Sequence, residues 1–430
     1  MPRRPKFPFD PSRFPFFYGW WILGVATLGV IASIPGQTVG VSVFNDSLIE
    51  ATGLSRLSVA NAYLGGTVAS GLLLPWGGTL LDRLGARRTA IGACVGLAIT
   101  LVALSNVDHL AGEGASWVVF FVLLAGLFFC LRFCGQGMLT MTSRTMLGRW
   151  FERRRGIAAG VSGLFAGYSF GIAPQLLNTW VEAGSWRTAW QQMALIVGLG
   201  MGTIVFLFFR DDPESCGLRM DGREAPKDSD APEPVEENKT RAEAMKTLGF
   251  WVPTLALTFQ ALIITGFTFH IVDLGAKAGL TRQEAVAVFF PIAIISTATG
   301  LIGGYLADRL RVRTLVLVMM CAQALGIFSA VTLQENDPGL ILGLGVSGGL
   351  FGPIATVAFP RFFGRLHLGS IAGAEMMFVV VGSAIGPSLF ASSEREFGDY
   401  SPALWVSLAM PVIASVAAFM LREAAPPRRG

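Results

Sequence analysis

The sequence predicts an all-α polytopic membrane protein with twelve transmembrane helices in two pseudo-symmetric six-helix bundles. Three observations carry this. Of 430 residues, 52% are hydrophobic and only 14% charged, with a mean hydropathy of +0.57, whereas an ordinary soluble domain carries about 25% charged residues. Apolar runs recur at the length of roughly 20 residues that a spanning helix needs. A single polar, proline-rich stretch divides those runs into six and six. So few polar groups cannot wet the surface of a soluble chain of this size, which excludes a water-soluble enzyme, a disordered chain and a nucleic-acid binder.

Taken in order, the runs place helices at 17–45, 57–81, 87–105, 117–146, 156–182 and 187–209, then at 248–275, 282–307, 313–333, 339–363, 369–391 and 400–422. Tyr18, Trp20 and Trp21 at the entrance of the first suit a membrane–water interface. The proline-rich, basic start lacks the short apolar core and small-residue cleavage site of a signal peptide. Residues 210–247 are rich in Pro, Asp, Glu and Lys and cannot bury a core, so they read as a flexible linker. The expected organisation is therefore 1–209 as an N-terminal bundle, 210–247 as a cytoplasmic linker and 248–430 as a C-terminal bundle.

Charge sets the expected orientation. With both termini on one side, 26 of the 33 lysines and arginines fall on that side and 5 on the other, Arg132 and Arg144 lying within the fourth span. The positive-inside rule then places the termini and linker in the cytoplasm, with the chain in the cell membrane. The five cysteines form no CxxC pair, so neither a disulfide framework nor a zinc site is expected. Walker A, HExxH and Gly-x-Ser-x-Gly patterns are absent from the sequence. The expectation is a protein that is no enzyme, with no metal and no cofactor.

The two halves repeat one another. Gly78-Thr79-Leu80-Leu81-Asp82-Arg83-Leu84, between the second and third helices, returns 226 residues later as Gly304-Tyr305-Leu306-Ala307-Asp308-Arg309-Leu310, between the eighth and ninth. A weaker echo joins Gly148-Arg149 and Gly156-Ile157-Ala158-Ala159-Gly160 to Gly364-Arg365 and Gly369-Ser370-Ile371-Ala372-Gly373. Repeated halves imply two similar bundles. A glycine-bearing turn lets two helix ends approach closely. Asp82 and Asp308 suit the positive N-termini of the eleventh and fifth helices respectively. Arg83, Arg87, Arg88 and Arg309 either pair with carboxylates or serve as topology charges.

This doubled Gly-x-Leu-x-Asp-Arg pattern in a twelve-span chain with a central linker resembles the major facilitator superfamily. The resemblance implies a secondary transporter whose two bundles rock around a central site, with Asp82, Arg83, Asp308 and Arg309 at its gates. Tyr18-Gly19-Trp20-Trp21, Gly36-Gln37 with Phe44, Gly53-Leu54-Ser55, Arg149-Trp150-Phe151, Arg154-Arg155-Gly156 and Phe363-Gly364-Arg365 with Gly369 are similar to the monocarboxylate and oxalate/formate branch. That branch moves small organic anions, often with a proton, and places an arginine in the middle of the eighth helix. Here residues 288–300 carry no charge, so carboxylate binding requires another cation.

A charge inside a span is expensive and is a functional hypothesis by default. Arg132 lies near mid-depth of the fourth helix, where its guanidinium could offer a bidentate fork to a carboxylate. The alternative is permanent pairing with a buried carboxylate or with carbonyls. Gln136, one turn on, should share its face. Gln37 and Thr38 follow the helix-breaking Pro35-Gly36 and can turn toward a cavity. Asn61 and Tyr63 could add hydrogen bonds or merely join helices. His270 and Asp273, three apart on the seventh helix, could carry a proton or form an ordinary helix-end pair. Glu375 and Arg144, at comparable depths in the eleventh and fourth helices, could form an inner gate pair, and Glu375 could be the protonated coupling group. Gly382, Gly386 and Pro387, and Gly160, Gly163, Gly167 and Gly171, read as close helix packing.

The expected function is secondary active transport of a small organic anion, monocarboxylate-like, by alternating access, held by Arg132 with Gln37 and Gln136. Proton coupling is compatible with this reading. The expected partners are an anionic small molecule, the lipid bilayer and protons, with no nucleic acid, and the fold can work as a monomer. One rival is a proton-driven drug or metabolite exporter of the same fold, for which Gly171-Ile172-Ala173-Pro174 is a partial signature. Another is a non-transporting membrane receptor on a transporter scaffold.

Overall fold

Apolar length and breaker residues account for the elements. The computed structural model describes residues 7–112, 114–222 and 238–423, and among these it holds helices and turns with no strand. Among the described residues, eleven helices are long and apolar enough to span a membrane. They are α2 (Arg56–Leu84), α3 (Ala86–Ser105), α4 (Trp117–Trp150), α5 (Arg155–Ala183), α6 (Trp186–Phe208), α7 (Leu248–Lys277), α8 (Arg282–Ala307), α9 (Val312–Val331), α10 (Pro338–Phe363), α11 (Leu368–Phe397) and α12 (Ser401–Met420). Before them comes the shorter apolar helix α1 (Gly19–Ala32). Their outward side chains are apolar, with Leu72, Ile99, Val122, Leu199, Phe290 and Phe419 all at least 60% exposed. A surface of that kind needs lipid around it.

Three features depart from the expected helices. The first span is not one helix over 17–45. It stops at Ala32, turns through Ile34–Gly36, and resumes as the short helices Thr38–Val41 and Asn45–Thr52. Pro35 has no N–H to give the helix, and Gln37 is extended at φ −92°, ψ 157°. Next, α4 passes into π-helix over Arg132–Leu139 and α6 does so over Ile196–Met201. Finally, both flanks of the linker are ordered. Arg210 is 2% exposed and donates to the carbonyls of Leu207 and Phe209 at 2.8 and 2.9 Å. Trp150 Nε1 donates to the Arg210 carbonyl at 3.0 Å, and Thr240 with Glu243 forms a capping box. Residues 223–237 of the linker lie outside the described residues.

The chain divides into two compact units. One holds residues 1–152, 165–236 and 365–377, and the other 153–164, 237–364 and 378–430. Each unit therefore takes the first part of a helix whose remainder belongs to the other: the first unit takes the start of α11, the second the start of α5. In the first unit, a Cβ on Gly78 would strike the Gly369 carbonyl on α11. In the second, a Cβ on Gly304 would strike the Gly156 carbonyl on α5, and one on Gly160 would lie 2.8 Å from the Gly300 carbonyl. The repeated motif needs its glycine because backbone passes backbone there. Gly382 and Gly386 pack α11 on α7 in the same way, whereas Gly163, Gly167 and Gly171 face open space. Among the α5 glycines, packing therefore explains Gly156 and Gly160 but not Gly163, Gly167 or Gly171.

A paired substitution tests this. Gly304→Ala is expected to destabilise the purified protein by about 1–3 kcal/mol through overpacking. Gly163→Ala should be neutral or stabilising by up to about 1 kcal/mol from helix propensity. Equal unfolding midpoints for the two variants would refute the close-approach account.

Candidate functional site

Around Arg132 the first unit gathers polar groups from three elements. The break after α1 leaves the Gly36 carbonyl without a helical partner on its side, and Arg132 Nη1 donates to it at 3.0 Å. The approach is permitted because Gly36 and Gly135 face each other: a Cβ on Gly36 would sit 2.7 Å from the Gly135 Cα. The Tyr63 ring on α2 lies 5.4 Å from the guanidinium carbon, a cation–π distance. The Tyr63 hydroxyl shares a 2.9 Å hydrogen bond with Thr38. Gln37 Nε2 donates to Ser33 at 3.0 Å and to Thr140 at 3.4 Å, and Thr140 donates to Ser33 at 3.0 Å.

Arg132 is 4% exposed. Its buried Nε meets no acceptor, and no carboxylate lies within ion-pair distance of it among the described residues. Of the two pairings expected for a structural arginine, only the carbonyl one is present. Two expected neighbours stand apart. Gln136 makes no side-chain hydrogen bond among the described residues. The i+4 expectation assumed α-helix, whereas this stretch is π-helix, whose i→i+5 bonding alters the spacing. Asn61 is exposed, because two residues on a helix turn about 200° and set it opposite Tyr63.

The motif aspartates sit on helix N-termini as the sequence suggested. Asp82 accepts from the Gly369 and Ser370 backbone N–H groups at 2.8 and 2.7 Å, and from Arg149 at 2.8 Å. Asp308 accepts from the Gly156 and Ile157 N–H groups at 2.7 and 3.1 Å. The first-turn N–H groups of a helix have no internal partner and carry its positive end, so a carboxylate there satisfies both needs. Arg309 instead folds back on its own helix, donating to the Tyr305 carbonyl at 3.0 Å with its guanidinium over the Tyr305 ring. Arg83 is exposed. Arg144 and the buried Glu375 act on each other electrostatically within the first unit.

In the second unit His270 and Asp273 do share a face, joined by a residue that spacing did not select. Tyr400, at the start of α12, donates to Asp273 Oδ2 at 2.7 Å, and its hydroxyl lies 3.3 Å from His270 Nδ1. His270 Nε2 donates to the Pro387 carbonyl of α11 at 3.0 Å.

With this geometry in view, comparison with known proteins is decisive at the level of family. The profile of the Major Facilitator Superfamily matches residues 13–387. The chain belongs to the Major Facilitator Superfamily. Among curated relatives, the multidrug transporter protein MdtP of Bacillus subtilis (strain 168) is 26% identical over 152 residues, 31% of this chain and 28% of that protein. The riboflavin transporter RibJ of Trypanosoma brucei brucei (strain 927/4 GUTat10.1) is 26% identical over 221 residues, 49% of this chain and 37% of that protein. The chain thus spans 28% of the first relative's length and 37% of the second's. The proton:xylose symporter XylE is similar in structure at TM-score 0.72 and 15% identity, covering 94% of this chain and 95% of that one. The human organic anion transporter MFSD10 (TETRAN) is similar at TM-score 0.63 and 14% identity, covering 93% and 99%. These likenesses show the fold.

Two further carboxylates cap helix starts in the way the motif aspartates do. Asp211, just after α6, accepts from the Ala86 N–H at 2.6 Å, at the start of α3. Glu423, just after α12, accepts from the Val312 and Arg313 N–H groups at 3.0 and 3.1 Å, at the start of α9. The signal was present: Arg210-Asp211 and Arg422-Glu423 close the two halves alike. Arg149 and Arg365, which carry both the motif echo and the branch resemblance, also meet each other. Arg365 donates to the Arg149 carbonyl at 3.0 Å and pairs with Glu214 at 3.1 Å. Tyr400 carried no sequence signal.

Proposed function

We propose that this superfamily transporter moves a small organic anion, monocarboxylate-like, by alternating access, with Arg132 as the anchor. The observation that carries the reading is a buried guanidinium with no carboxylate partner among the described residues and an unused Nε. A charge so placed is costly unless something of opposite sign joins it, and an anionic substrate supplies that sign. Gln37, Thr38 and Tyr63 surround it as hydrogen-bonding partners. Arg144 and Glu375 would serve as an inner gate pair. Both termini are read as cytoplasmic and the chain as a cell-membrane protein. A second reading, export of unrelated compounds, draws on the partial likeness to MdtP.

The test is thermal stabilisation of the purified protein by a panel of mono- and dicarboxylates, nitrate, sugars and cationic drugs, repeated with Arg132→Ala. A ligand of the folded state at 100 times its Kd stabilises by about 2.7 kcal/mol. Stabilisation by one carboxylate that is lost in the variant is the expected result. Stabilisation only by cationic or apolar compounds would favour the exporter and reduce Arg132 to a structural charge.

A further inference from the structure

The contacts of His270, Tyr400 and Asp273 impose a proton count. The Pro387 carbonyl can only accept, so His270 Nε2 carries a proton and donates it. The Tyr400 hydroxyl has one proton and lies 2.7 Å from Asp273 Oδ2 and 3.3 Å from His270 Nδ1. If Asp273 is ionised it takes that proton, and Nδ1 must bear a second imidazole proton to meet the Tyr400 oxygen. If Nδ1 is bare, Tyr400 donates to it, and Asp273 must be protonated to meet the Tyr400 oxygen. Either way, all three contacts are made only when the group holds one proton more than an ionised Asp273 and a neutral His270 together carry.

We propose that Asp273, Tyr400 and His270 form a one-proton relay that ties α7 to α11. The proton enters at Asp273, which is exposed, at the end of α7 that the charge count places outside. Two bonds break and two form: the Asp273 O–H breaks as a new Tyr400 O–H forms, and the original Tyr400 O–H breaks as the His270 Nδ1–H forms. The group's net charge is unchanged by this transfer. Tyr400 is 3% exposed, and burial, with Asp273 adding to it, holds its phenol above the ordinary range, so the hydroxyl keeps a proton to relay. The far end of the relay is the carbonyl of Pro387, where α11 runs against α7 through Gly386 and Phe390. The Phe390 ring stacks on the imidazole at 6.2 Å and 7°.

The other charged groups near the relay are already engaged. Lys277, on α7, pairs with Glu394 of α11 at 3.1 Å and donates to the Gly398 carbonyl at 2.7 Å, with its ammonium 5.1 Å from the Tyr400 ring centre. Asp399, in the α11–α12 turn, accepts from the Tyr400 N–H at 2.7 Å. Glu284, at the start of α8, is held by Thr281 at 2.7 Å. The relay does not depend on which substrate Arg132 holds.

The test is the thermal midpoint of the full-length protein between about pH 5.5 and pH 8, the range over which histidine ordinarily changes charge. The bound proton makes contacts that the unfolded chain lacks, so folding is strengthened at the acid end and weakened as pH rises. The expected result is a wild-type midpoint that falls by a few degrees across the range, relative to His270→Gln. Tyr400→Phe should flatten the profile while leaving His270 and Asp273 in place. A wild-type profile parallel to both variants would overturn the proposal. A second measurement needs neither variant to fold. His109→Gln with His367→Gln leaves His270 as the sole histidine of the three in the chain. Its nitrogen resonances should then titrate in step with one of the five tyrosines. A His270 that titrates while every tyrosine signal stays fixed would overturn the relay.

Discussion

Asp82→Ala is expected to lower the stability of the purified protein by about 3–5 kcal/mol, the usual cost of stranding one member of a buried ion pair. The carboxylate accepts three hydrogen bonds, from Gly369, Ser370 and Arg149. Side-chain exposures of 9% for Arg149 and 10% for Asp82 leave little water to replace it. Arg149 Nε is already without a partner, so the variant would leave the whole guanidinium buried and uncompensated. Arg149→Ala should cost less, because the two N–H groups on α11 still hold Asp82. The double variant should be milder than the sum of the singles, since the stranded charge has gone. Asp82→Asn, which keeps one acceptor oxygen, should fall between wild type and Asp82→Ala. Chemical unfolding in detergent measures all four. A change within about 0.5 kcal/mol for Asp82→Ala, the level of an ordinary surface substitution, would refute this account of the motif.

The second large effect concerns Arg132 and has two signs. If the guanidinium exists to hold an anion, Arg132→Ala should remove about 2–5 kcal/mol of substrate affinity, thirty-fold or more, and saturable uptake should vanish. Arg132→Lys should rescue only in part, since an ammonium is a point charge that cannot reproduce the planar fork. The substrate-free protein should meanwhile be no less stable as Arg132→Ala than as wild type. It would lose one bond to the Gly36 carbonyl and the contact with Tyr63, but it would also lose a buried charge lacking a counter-ion. A structural arginine would show the reverse, with lower stability and unchanged uptake. Measuring uptake in vesicles alongside unfolding of the purified variant separates the two.

Composition and run length made the fold legible, because a helix in lipid must satisfy its own backbone over about 20 apolar residues. The repeat made Asp82 and Asp308 legible down to the helices they cap. A glycine turn followed by a carboxylate leaves few places for that carboxylate to go except an exposed helix N-terminus. Spacing brought His270 and Asp273 to one face, since three residues on a helix are neighbours. It failed for Gln136, where α4 is π-helical, and for the first span, where Pro35 divides what hydropathy reads as continuous.

The sequence by itself determined what depends on neighbours along the chain: the spans after the first, the loop charges and the repeated motif. The tertiary structure alone decided which groups meet across it. Gly36 reaches Arg132 over 96 residues, Tyr400 reaches His270 over 130, Asp211 reaches Ala86 over 125 and Glu423 reaches Val312 over 111. Periodicity fixes the face on which a side chain lies, through bonds four residues long. It cannot fix which distant backbone group, freed by a proline or a helix end, will be waiting there, because that is set by how closely the helices pack.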